Sequence, residues 1–185
     1  VNVGDEVIVI EPVYDLYIPA IVLAGGVPVV VPMTAPNQEN PKYSMDWQRL
    51  RDSITAKTRM IILNFPHNPT GSILAEHELD ILESIVQDTG ILILSDEAYE
   101  HIVFDNEPHR SLSTRSGLAN NAIVIFSFGK TFHTTGWKIG YCTAPPKLTA
   151  EIRKVHQFSV FSVSTPVQYA LSQFLENPQH YLNLS

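Results

Sequence analysis

Short runs of β-branched and aliphatic residues, each too brief to be a helix, recur along this chain with longer amphipathic stretches between them. The runs occupy residues 7–10, 27–31, 59–63, 91–94 and 122–126, and 138–142 reads as a further one. Residues 14–23 read as a helix closed by Gly25 and Gly26, and 46–54 as a short helix that Asp46 can cap. Residues 74–88 place Ile81, Leu82, Ile85 and Val86 on one face before Gly90 stops the helix. Residues 37–44, polar and containing Pro41, read as a loop, and 148–161 and 166–175 are helical in pattern. Strand and helix in regular alternation predict an α/β fold, a mainly parallel sheet with helices on both faces. The 91–94 run is apolar without a break, as expected of a strand buried on both sides. In such a sheet ligands bind beyond the carboxyl ends of the strands, so chemistry is sought there.

Charge and composition remove several classes of function. Twelve basic residues against nineteen acidic ones give a net charge of -7, and no basic run opposes it, so a nucleic-acid partner is not expected. No apolar stretch approaches the roughly eighteen residues of a membrane span, and the first residues lack the pattern of a signal peptide. Cys142 is the only cysteine, so no internal disulfide marks an oxidising compartment, and a cytoplasmic location is expected. The seven histidines are scattered without the spacing of a metal site. Glu76, Asp80 and Glu83 read as a solvated helix face.

Three strand ends carry unusual polar residues. One runs into Asn64-Phe65-Pro66-His67-Asn68-Pro69-Thr70-Gly71, a second into Ser95-Asp96-Glu97-Ala98-Tyr99. The third runs into Ser127-Phe128-Gly129-Lys130, followed by Gly136-Trp137-Lys138. Singly, each has a plain explanation: a turn, a helix cap, a solvated lysine. Together they supply complementary chemistry at one sheet edge. A lysine of lowered pKa forms an imine with an aldehyde. An aspartate keeps a pyridinium nitrogen protonated. An asparagine amide and a tyrosine hydroxyl can bond a phenolate oxygen, while a serine hydroxyl and a second cation hold a phosphate. That set of needs belongs to pyridoxal phosphate. Gly129-Lys130-Thr131 also looks like the end of a phosphate-binding nucleotide loop, but the glycine required five residues earlier is Val124.

The three motifs, the last extended through Thr131-Phe132-His133-Thr134-Thr135-Gly136-Trp137-Lys138, resemble the class I/II aminotransferases of pyridoxal-phosphate fold type I. Within that family the likeness is to the bacterial methionine aminotransferases and the kynurenine or glutamine transaminases, and it runs from Gly4-Asp5 to the C-terminus. The resemblance implies that Lys130 carries the cofactor as a Schiff base and moves the substrate's α-proton. It implies that Asp96 pairs with the pyridine nitrogen, that Asn68 and Tyr99 bond the ring oxygen, and that Ser127 and Lys138 bind the phosphate. Many relatives have Arg where Lys138 stands, and Lys brings charge without a bidentate fork. Tyr14 stands where this subgroup stacks an aromatic ring on the cofactor, against the plainer reading of a packed helix-start residue. No role falls to His67 or His133.

The implied activity is transfer of an amino group from an L-amino acid, methionine or aromatic in type, to a 2-oxo acid by a ping-pong mechanism in a homodimer. A carbon–sulfur β-lyase and an aminotransferase-like sensor domain of a transcription regulator are alternatives on the same fold. Residues 1–185 are expected to be most of the large cofactor-binding domain of a longer protein, because the chain opens near a strand without methionine and residues 181–185 do not read as a finished end. The carboxylate-binding Arg of the small domain and part of the phosphate cup are then expected outside it.

Overall fold

Each strand of the sheet sends alternate side chains to opposite faces, and both faces are covered along the central strands. The computed structural model describes residues 1–177. Its six strands are β1 (Glu6–Glu11), β2 (Val27–Pro32), β3 (Thr58–Asn64), β4 (Leu92–Asp96), β5 (Ala122–Ser127) and β6 (Gly140–Thr143), in the order β2-β1-β3-β4-β5-β6. All neighbours run parallel except β6, which is antiparallel to β5. The helices are α1 (Tyr17–Leu23), α2 (Trp47–Asp52), α3 (Glu76–Val86), α4 (Ser116–Ala119), α5 (Phe128–Thr131), α6 (Pro146–Ser159) and α7 (Thr165–Phe174).

On one face Ile8, Ile10, Ile61, Leu63, Ile93 and Val124 form a core with Leu79, Leu82, Ile85 and Val86 of α3 and with Leu50 and Leu118. On the other, Val7, Val9 and Ile62 pack against Ile21 of α1. Fully burying each such aliphatic side chain stabilises the fold by about 1.5–3 kcal/mol, so the four buried residues of α3 hold it far more firmly than helix propensity does. The helix ends are also chemically fixed. Asp46 accepts from the Arg49 amide (2.9 Å) as cap of α2. Glu78 reaches back to the Ala75 amide (2.8 Å) at the start of α3 and takes the Trp47 indole N–H (2.9 Å) on its other oxygen, tying α2 to α3.

The α/β architecture is as the sequence pattern predicts, with local differences. Helix α1 begins three residues later than expected, which leaves Tyr14 in the turn before it. Strand β6 begins at Gly140, so Lys138 lies in the preceding turn. The unbroken apolar run before Ser95 is not equally buried: Ile93 is sealed, whereas Leu92 and Leu94 are half-buried, because the α1 side is the thinner layer. Helices α4 and α5 are single turns that periodicity could not register. Glu76, Asp80 and Glu83 are solvent-facing, yet they surround the Arg115 guanidinium, a match invisible in their own helix. Helix α6 buries none of its residues, and Phe158 is 87% exposed. Among the described residues no helix is long and apolar enough to cross a membrane. The reading made of residues 181–185 lies outside the described residues.

Candidate active site

Strands β3, β4 and β5 are neighbours, and their carboxyl ends deliver Asn64, Asp96 and Ser127 to one edge. Asn64 and Asp96 are paired across β3 and β4. The buried Asn64 side chain donates to the Asp96 carbonyl (2.9 Å), and its oxygen accepts from the Asn68 amide (2.9 Å). One buried amide therefore fastens the turn that carries Asn68 to the strand that carries Asp96.

The Asp96 carboxylate is held at both oxygens. Oδ1 accepts from the Ala98 amide (3.1 Å), and Oδ2 accepts from the Tyr17 hydroxyl (2.6 Å). Burial and then the Asp96 charge drive the Tyr17 phenol far above its ordinary range, so it remains a proton donor at every working pH. Tyr14 and Tyr99 add to the same rise, so both lie near the Tyr17 hydroxyl. The Tyr14 ring is edge-on to Tyr17, with centroids 5.5 Å apart at 79°, and is 42% exposed rather than packed in the core. Lys130, in α5 directly after β5, has its amine 5.5 Å from the centroid of the Tyr99 ring, within reach of a cation–π contact. It makes no ion pair among the described residues.

Ser127 and Lys138 both flank the next junction of the sheet, between β5 and β6. Ser127, the last residue of β5, is paired with Gly140, the first of β6, and Lys138 lies two residues before that pairing. Lys138 has a left-handed backbone (φ 53°), which turns the chain back into β6. Gly140 is required here, since a Cβ would stand 2.4 Å from the Phe126 carbonyl oxygen. The structure thus links Tyr14 to Asp96 through Tyr17, sets Lys130 over Tyr99, fastens the Asn68 turn to β4 through Asn64, and places Ser127 and Lys138 at the two sides of the β5–β6 junction.

Sequence reasoning missed two members. Tyr17 read only as part of an amphipathic helix, though its place three residues after Tyr14 was a signal that both face one way. Asn64 had one too: a polar residue directly after the apolar run 60–63. Beside the cluster, Asn68 and Tyr99 line a cavity of about 890 Å3 together with Tyr43, His67, Ile102 and Arg110. Asp96, Ser127, Lys130 and Lys138 are not on its wall. Among the described residues no group of three or more His, Cys, Asp or Glu is placed to hold a metal ion.

His67, left without a role by the sequence, is 4% exposed, and it ties two site loops together. Its Nδ1 lies 2.9 Å from the Thr70 hydroxyl, and the ring is turned toward the Pro12 backbone in the turn leading to Tyr14. Burial pushes its pKa below the ordinary histidine value. The unfolded chain therefore binds a proton at about pH 6.5 while the folded one does not, so stability is full above that pH and falls below it. His67→Gln is expected to flatten this loss. Thermal unfolding of the full-length protein and the variant between pH 7.5 and 5.5 checks it, since the difference between the two slopes isolates His67 from Glu100 and His101, whose values burial also shifts.

The family model for aminotransferases of class I and II matches residues 1–183. Methionine aminotransferase of Escherichia coli is 44% identical over 182 residues, which cover 98% of this chain and 46% of that protein. A kynurenine–oxoglutarate transaminase of Dictyostelium discoideum is 40% identical over 190 residues, covering 96% of this chain and 44% of its own length. Among solved structures, the Escherichia coli protein YbdL, identified there as a methionine aminotransferase, superposes with a TM-score of 0.93 at 43% identity, over 100% of this chain and 48% of that one. The chain spans about half the length of the curated relatives it matches.

Proposed function

This chain belongs to the aminotransferases of class I and II, and on that premise we propose that it is most of the cofactor-binding domain of an enzyme that transfers the amino group of an L-amino acid to a 2-oxo acid. The favoured donors are of methionine or aromatic type, as the names of the methionine aminotransferase and kynurenine transaminase relatives suggest. The cofactor of this family is pyridoxal phosphate. One observation carries the reading: Lys130, whose amine has no carboxylate partner among the described residues, stands over the Tyr99 ring at the carboxyl edge of the parallel sheet, the edge that also bears the doubly held Asp96.

The residues present suit that group. When bound, pyridoxal phosphate supplies an aldehyde and an electron-withdrawing ring. Asp96 would hold positive charge at the ring nitrogen, with Tyr17 fixing one carboxylate oxygen and leaving no freedom to rotate away. Asn68 and Tyr99 would bond the ring oxygen, Tyr14 would cover a ring face, and Ser127 and Lys138 would hold the phosphate. Lys130 Nζ would take the proton from the substrate α-carbon. The substrate-carboxylate Arg and the rest of the phosphate cup would come from other parts of a longer chain, consistent with the half-length match to the relatives. A homodimer is proposed as the working form, supported by the uncovered Phe158 and Phe161 around the end of α6, and the cytoplasm as its location.

The test is a half-reaction. Full-length enzyme given L-methionine without an oxo acid should yield one equivalent of 2-oxo acid per site, leave pyridoxamine phosphate, and stop until a 2-oxo acid is added. Continuous release of ammonia instead would contradict transamination and point to elimination.

A further inference from the structure

Between the end of β4 and the turn at Leu112–Thr114 the chain makes an excursion that carries Tyr99 and the cavity residues Ile102, Phe104 and Arg110. The side chain of Glu97 closes it. Glu97 is 1% exposed, and its backbone amide continues the β4–β5 pairing through the Ile125 carbonyl (2.8 Å). Its Oε1 accepts from the Ser95 hydroxyl (2.9 Å) and the Leu112 amide (3.0 Å), and its Oε2 lies 2.7 Å from His109 Nε2. A carboxylate buried this deeply is costly unless every oxygen is partnered, and an apolar residue would fill the space without that cost. What the carboxylate adds is direction: it joins the strand to two points, His109 and Leu112, at the far end of the excursion. Tyr99 lies two residues from this staple, with its ring against Lys130.

We propose that Glu97 and His109 are a positioning pair for Tyr99, holding the excursion so that the Tyr99 ring stays beside Lys130 and its hydroxyl reaches the cofactor. This rests on the reading that Tyr99 bonds the cofactor. Glu97 and His109 act through Tyr99 and touch neither substrate nor cofactor.

The experiment is a double-mutant cycle on the full-length protein, with the pyridoxal phosphate dissociation constant read by absorbance titration. Tyr99→Phe and His109→Ala are each expected to weaken binding by about tenfold, and the double variant to be no weaker than the weaker single one. Glu97→Gln should stay much nearer the parent than Glu97→Ala, because an amide can still accept from Ser95 and Leu112 and donate to a neutral His109. Should His109→Ala fail to accumulate, His109→Gln runs the same cycle. Losses that multiply in the double variant, or a silent His109→Ala where Tyr99→Phe weakens binding, would overturn the staple alone. A silent Tyr99→Phe would overturn it together with the assignment of Tyr99 to the cofactor.

Discussion

Replacing Lys130 with Ala in the full-length protein is expected to lower transamination by more than about four orders of magnitude and to remove the visible absorption of protein-bound cofactor. The substitution deletes the amine that would bind the aldehyde and the base that would take the α-proton. No second lysine replaces it, since Lys138 lies beyond the turn at the β5–β6 junction. The fold should survive, because Lys130 is half-buried, belongs to a single helical turn, and makes no ion pair among the described residues. Steady-state kinetics with an unchanged melting temperature is the check. Turnover near the parent rate would remove Lys130 from the mechanism.

Asp96→Asn should slow turnover by about a thousandfold while pyridoxal phosphate still binds. Asn is nearly isosteric, and its oxygen can still accept the Tyr17 hydroxyl or the Ala98 amide. It cannot carry the negative charge that would keep the ring nitrogen protonated. The loss therefore belongs in kcat, with cofactor affinity preserved through Asn68, Ser127 and Lys138. The Tyr17 phenol offers an independent readout. Part of its upward shift comes from the Asp96 charge, so its titration should move back toward the ordinary tyrosine range in the variant. Full turnover with cofactor bound would show that the carboxylate has another purpose.

The sheet was legible because a strand buried in an α/β core must be short and apolar, and five such runs stand out in the chain. The site motifs were legible because their polar residues interrupt those runs at the ends. The shortfalls have physical causes. Helix α5 is a single turn, too short for a period, so the helical setting of Lys130 carried no signal. The Tyr17–Asp96 bond joins residues 79 apart in sequence, and nothing in the motif around Glu97 points to its partners His109 and Leu112. The Arg115 cage over Glu76 and Asp80 is likewise a long-range match. What pattern cannot show is which distant donor satisfies a buried acceptor, and that is where the positioning residues were missed.

Borohydride reduction of the full-length holoenzyme, followed by digestion and mass mapping, tests most directly whether the cofactor is bound where this cluster lies. The reduced cofactor should be found on the peptide containing Lys130, and on no other lysine. A label on Lys138 or any other lysine, or no covalent label on a protein that transaminates, would contradict the account.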